Sequence, residues 1–219
     1  MRFRADSAGG AVVAVSGVNT VSFAFLTTDE TNQGLLGFAV ERSDPTEDEK
    51  YFMAGYKVFR SVIPNQPHNV EVSTYDHPVQ SFVWDDFTAK PDREYTYSFY
   101  PLKGKAKNLD RSADPLTITV HTEPLFTDGE HDIFFNRGVA SSQAYERQFG
   151  STPIDKLEPA KRANAIAWLT RDLDEALLRF IDNTRDGDRL LGCFYEFAYQ
   201  PATDALQRDR PRGRRTHHR

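Results

Sequence analysis

Alternation of apolar and polar residues with period two recurs along the first half of the chain. Val21–Phe25 (VSFAF), Leu36–Glu41 (LGFAVE), Gln80–Trp84 (QSFVW), Tyr95–Phe99 (YTYSF) and Leu116–Val120 (LTITV) all carry it. Successive side chains of a strand point to opposite faces, so each run predicts a half-buried strand. Between them lie turn-forming clusters: TTDETNQG, RSDPTEDEK, TAKPDR and KGKAKNLDRSADP. Short strands spaced by such clusters, with no helical period from about Val12 to Thr122, predict an antiparallel β-sandwich.

The period changes after Asp128. Tyr145 and Phe149 lie one helical turn apart, and Gly150 follows as a stop. A polar stretch with Pro153 and Pro159 comes next. Asp172 and Glu175 have the spacing of a capping box that opens a helix over Leu173–Asp182. Leu173, Ala176, Leu177, Phe180 and Ile181 form its apolar stripe. Leu190–Tyr199 (LLGCFYEFAY) reads as a buried strand, and Pro201–Gln207 as the start of an amphipathic helix. Helix, strand, helix is the grammar of an α/β domain. The expected organisation has two domains: an all-β sandwich over 1–122 and a linker over 123–129, then an incomplete α/β segment over 130–207. A basic tail over 208–219, expected to be disordered, closes the chain. That tail contains no Val, Ile or Leu to build the strand that should receive the crossover. Sites in α/β folds sit beyond the carboxyl ends of several strands, so the site is expected to be incomplete.

Charge changes the picture in one respect. The chain of 219 residues carries a net charge of -5, but its last twelve positions hold six arginines and one aspartate. The body is left with 21 basic against 31 acidic residues, a net of -10. A body of that sign argues against general nucleic-acid affinity. The run SDPTEDEK predicts a solvated loop. The apolar run Ala11–Val15 is too short for a secretory core or a membrane span, so a soluble cytoplasmic protein is expected.

Pro91–Phe99 (PDREYTYSF) resembles the E–F corner of a fibronectin type III-like domain, with Tyr95 at the tyrosine-corner position. His121–Pro124 (HTEP) resembles the exit of such a domain. Further on, HDIFFNRGVASSQAYERQFG, WLTRDLDEALLRFID and LLGCFYEFAYQPATDALQR are similar to the opening region of bacterial phospholipase D-like proteins. Gly34–Asp44 (GLLGFAVERSD) is similar to their N-terminal part. The resemblance spans about Val12 to Gln207. It implies a sandwich preceding a metal-free phosphodiesterase domain that uses the motif H-x-K-x-x-x-x-D. In that motif a histidine attacks phosphorus, a second histidine protonates the leaving alcohol and lysines hold the phosphate oxygens.

No H-x-K occurs here. The residues two positions after His68, His77, His121 and His131 are Val70, Val79, Glu123 and Ile133, and Arg219 follows His217. No position therefore inherits a catalytic role, and no cofactor or metal is expected. Other chemistry-bearing residues have plainer readings. Glu196 reads as a strand-end acid and Cys193 as a small buried hydrophobe. His131-Asp132 reads as a linker pair, and Asp85-Asp86 as strand-end acids in water. His217 and His218 are too few to form a metal site. The expected function is the N-terminal part of a phospholipase D-like phosphodiesterase, inactive as written. Two alternatives stand beside it. One is a fibronectin-like module that binds a protein through the sandwich or an exposed α/β edge; the other is a protein that binds nucleic acid or an anionic surface through the arginine tail.

Overall fold

The computed structural model describes residues 1–66, 70–134, 136–137, 143–195 and 197–208. It divides into two compact units, Met1–Asp132 and Ile133–Arg219. Eleven strands are described, all in the first unit: β1 (Arg2–Ser7), β2 (Gly10–Ser16), β3 (Val21–Thr27), β4 (Gly37–Asp44), β5 (Glu49–Phe52), β6 (Ala54–Gly55), β7 (Val72–Ser73), β8 (Val83–Asp86), β9 (Glu94–Lys105), β10 (Asn108–Asp110) and β11 (Leu116–His121). A helical turn, α1 (Asp29–Asn32), sits between β3 and β4, capped by the Thr28 hydroxyl, which accepts from Thr31 N–H.

One large sheet runs β1-β2-β3-β8 and a second β10-β9-β4-β5, with β11 beside the first half of β9, and β6 pairs with β7 in a small third sheet. Every pairing is antiparallel. The predicted alternation lies on β3, β9 and β11 and sets which face is buried there. Of the strand expected over Gln80–Trp84 only Val83 and Trp84 are in β8, with Phe82 exposed, and β4 buries Ala39 as well as Phe38 and Val40. Phe23 and Phe25 of β3, Phe38 and Val40 of β4, and Tyr95, Tyr97 and Phe99 of β9 all enter one core. Their rings meet in tilted and edge-on pairs, such as Phe25–Phe99 at 4.7 Å and Phe23–Phe99 at 5.0 Å. Each buried ring of this size stabilises the fold by about 1.5–3 kcal/mol.

Tyr95 ties the turn before β9, its hydroxyl accepting from Lys90 N–H at 2.9 Å. Thr122 completes the closure, donating to the Lys90 carbonyl at 2.7 Å and accepting from Arg93 N–H at 2.9 Å. Two expectations are corrected. Strand pairing starts at Arg2, ahead of Val12. The stretch Lys103–Pro115 is not all turn, because β9 runs on to Lys105 and β10 folds back on it. The left-handed backbone of Gly104 makes room for that return, since a Cβ there would lie 2.7 Å from the Asn108 carbonyl.

The described part of the second unit is helical: α2 (Gln143–Phe149), α3 (Pro159–Thr170), α4 (Leu173–Asp182) and α5 (Gln200–Arg208). The predicted helix over Leu173–Asp182 has the predicted bounds. Sequence periodicity missed α3, because Pro159 reads as a breaker; here it occupies the first turn, where its missing N–H costs nothing. The Asp172 capping box does not form. Arg171 turns the chain out of α3 in a left-handed conformation (φ 54°), leaving Asp172 at φ -96°, ψ 0° instead of the extended geometry a cap requires. Of the predicted stripe, Ile181 and Leu177 pack against Ala202 and Ala205 of α5, while Phe180 remains 66% exposed. A separate cluster joins Tyr145, Phe149, Leu157 and Ala165.

The predicted buried strand over Leu190–Tyr199 is overturned. None of its described residues is in a strand, and Leu191 and Tyr195 are 96% and 101% exposed. An isolated strand cannot satisfy its own backbone, and no other strand is described in this unit to pair with it. The apolar pattern records an affinity for burial, and Phe194 and Phe197 meet it in part by stacking on each other at 4.3 Å.

Separate cores predict separate resistance to protease. Brief trypsin or proteinase K treatment is expected to cut first within residues 123–132 or in the second unit, leaving the sandwich as the persistent fragment by mass spectrometry. Equal persistence of both units would contradict this.

Candidate functional site

Two places in the sandwich concentrate polar chemistry. The first lies at the end of the core. The inward-facing series of β4 (Phe38, Val40) continues to Arg42, and that of β8 passes from Trp84 to Asp86. Arg42 Nη1 donates to Asp86 Oδ2 at 2.8 Å, bridging the two sheets, and both side chains are buried. Tyr97 Oη donates to the same oxygen at 2.7 Å. Thr88 gives its N–H and its hydroxyl to Asp86 Oδ1, each at 2.7 Å. The guanidinium lies over the rings of Tyr95 (4.9 Å) and Tyr51 (5.2 Å) and donates to the Tyr51 hydroxyl.

The expectation that Asp85-Asp86 sits in water is therefore half wrong. Asp85 is exposed, but Asp86 is among the most buried polar residues of the chain. Adjacent strand residues face opposite ways, so one of the pair had to enter the core. Burial alone would lower the Arg42 pKa; the Asp86 carboxylate outweighs it and holds the guanidinium above its ordinary value. Burial, and then the Asp86 charge, push the Tyr97 phenol up. This network is a structural clasp, since both carboxylate oxygens are engaged; the guanidinium keeps one buried donor, Nε, without a hydrogen-bond partner.

The second place is a cavity of about 330 Å³ on the flank of the sandwich. The segment from Met53 to Phe82 crosses there from one sheet to the other. Trp84, Val79 and Pro78 supply apolar wall; His77, Gln80, Ser81 and Lys57 supply polar groups. His77 is 7% exposed, and its Nδ1 accepts from Phe59 N–H at 3.2 Å. That bond assigns the lone pair to Nδ1 and the ring proton to Nε2. Sequence reasoning weighed His77 only as a failed H-x-K. The available signal was a histidine in a turn (YDHP) shortly before a tryptophan-bearing strand.

The remaining sequence-flagged residues do not converge. His131 and Asp132 are exposed, and Asp132 accepts from Thr127 N–H and hydroxyl at 3.0 and 2.8 Å. Cys193 is exposed, against the expectation of burial, because its supposed strand does not form. His68, Glu196, His217, His218 and the tail beyond Arg208 lie outside the described residues. Within SDPTEDEK, Asp44 is buried and caps the turn through Thr46 N–H, and Glu47 pairs with Lys90 and Arg93. The run is thus partly a set of internal anchors. In the second unit, the Arg137 guanidinium lies 4.0 Å over the Trp168 ring, and burial pushes its pKa down. No cluster of three or more His, Cys, Asp or Glu fit to hold a metal occurs among the described residues.

Asp86→Ala should destabilise the sandwich by about 3–5 kcal/mol by urea titration, because it strands Arg42 in the core. The pair replacement Arg42→Met with Asp86→Leu should recover most of that loss. A second expectation concerns alkaline pH. Tyr97 is raised in the folded state, so its contribution is complete below the unfolded tyrosine value of about 10 and is lost as pH rises above it. Urea midpoints should fall between pH 9 and about 11, and Tyr97→Phe should make that fall shallower.

No family model matches the chain, and no curated protein matches it.

Proposed function

We propose that this chain is the leading part of a phospholipase D-like phosphodiesterase, a fibronectin type III-like sandwich followed by the first helices of the phosphodiesterase domain. On this reading it is scaffold, and does not itself carry the hydrolytic histidines. The observation that carries the proposal is the order of parts. A corner-tied sandwich comes first, and a separate helical unit begins at Ile133, within the segments that resemble the family. The strand order, with β2-β3-β8 facing β11-β9-β4-β5, supports the fibronectin-like half. The absence of any H-x-K in the sequence supports the catalytic silence.

A second reading, a protein-binding module, is favoured by the exposed Leu191, Phe194 and Tyr195. Exposed apolar side chains of that size are costly when clustered unless something covers them.

Hydrolysis of bis-p-nitrophenyl phosphate separates scaffold from enzyme. The purified chain is expected to turn it over no faster than buffer, and activity that persists through a second, unrelated column would refute the scaffold reading. The family half has its own check: H-x-K codons are expected in the coding DNA downstream of Arg219, in any frame, and their absence would count against it.

A further inference from the structure

The flank cavity is built into the fold, and its walls are held from both sheets. Met53 N–H donates to the Val40 carbonyl at 2.7 Å, and the Thr74 hydroxyl accepts from Val40 N–H at 3.0 Å. Val79 and Phe38 exchange both backbone hydrogen bonds, at 2.8 and 2.9 Å, and Phe25 N–H reaches the Phe82 carbonyl at 2.9 Å. The crossing segment thus extends the edge of β4 beyond the end of β5. Gly37 allows the approach, because a Cβ there would lie 2.3 Å from the Val79 carbonyl. A cavity fixed in this way spends little binding free energy on ordering its walls.

Three of the lining side chains, His77, Ser81 and Lys57, can offer hydrogens. The His77 ring proton is placed on Nε2 by the bond at Nδ1. The Ser81 oxygen already accepts from Val83 N–H at 3.2 Å, which leaves its own hydrogen to give. Lys57 has no ion-pair partner among the described residues, and no carboxylate lines the cavity. The two acids of the crossing segment are engaged elsewhere. Glu71 accepts the Tyr56 hydroxyl at 2.8 Å, and Asp76 pairs with Arg111 at 3.1 Å. Trp84 also lines the cavity, its ring packed from behind on Phe23 of the core at 5.8 Å. A dry cavity of about 150 Å³ holds benzene, so about 330 Å³ accommodates a ring together with an acid group.

We propose that this cavity binds a small organic anion, a carboxylate or phosphate monoester on an apolar ring. The ring lies against Trp84, and the acid group takes the hydrogens of His77 and Ser81 and the charge of Lys57. The site is independent of the phosphodiesterase reading, since it uses only the sandwich.

The test uses the full chain with Trp168→Phe, which leaves Trp84 as the sole tryptophan. Phenylacetate, phenyl phosphate and the neutral isostere 2-phenylacetamide are titrated against its fluorescence. At least one of the two acids is expected to give a saturable change, and which one does so assigns the acid group. The amide should bind about tenfold more weakly. Lys57→Met should weaken the acid about fivefold and leave the amide unchanged. Ser81→Ala is the second polar variant, because His77 is buried and its replacement could disturb folding. No saturable response to either acid would overturn the proposal, as would equal affinity for acid and amide, or an acid affinity untouched by both Lys57→Met and Ser81→Ala. None of these results bears on hydrolysis, so this proposal and the family reading fail separately.

Discussion

The ion pair between Arg42 and Asp86 is the constraint around which the sandwich is arranged. Two sheets held only by aromatic packing could slide, since dispersion is non-directional. A buried charge pair cannot slide, because each partner left alone would carry a desolvation cost of several kcal/mol. Asp86 fixes β8 against β4 at one level, and through Tyr97 it fixes β9 at the same level. Tyr95, two residues away on the same face, lies against the guanidinium and also ties the corner at Lys90. The register of three strands and the closure of the loop before β9 therefore converge on one guanidinium.

The sandwich was legible in the sequence because its elements are amphipathic. VSFAF, YTYSF and LTITV each present an unbroken alternation, and burial follows it residue by residue. The clasp was not legible for the same reason. Alternation places Arg42 and Asp86 on inward faces, yet residue type argues for water. Only the distant partner resolves the conflict, and a pairing across 44 residues leaves no local mark. The flank cavity was hidden likewise, since it gathers residues from a segment without periodicity. Gly55, His77 and Trp84 are neighbours because of backbone bonds that no pattern announces.

The second unit shows the opposite failure. LLGCFYEFAY carries a strong strand signal, but a strand requires a partner and none is described. α3 formed without an advertised stripe because Ala-rich sequence has high intrinsic helix propensity and Pro159 could start it. In the sandwich, local preference and tertiary context agree. Over Leu190–Tyr199 they do not, and the described backbone there is irregular.

The separateness of the cores has a consequence for thermodynamics. A chain whose apolar clusters are confined to different units has no guarantee of a single all-or-none unfolding transition. A single melting temperature or free energy assigned to it would average two unequal quantities. The chain carries its own means of resolving them. Its two tryptophans fall one in each unit, Trp84 in the aromatic core of the sandwich and Trp168 beneath Arg137 among the helices, so each unit reports its own cooperativity.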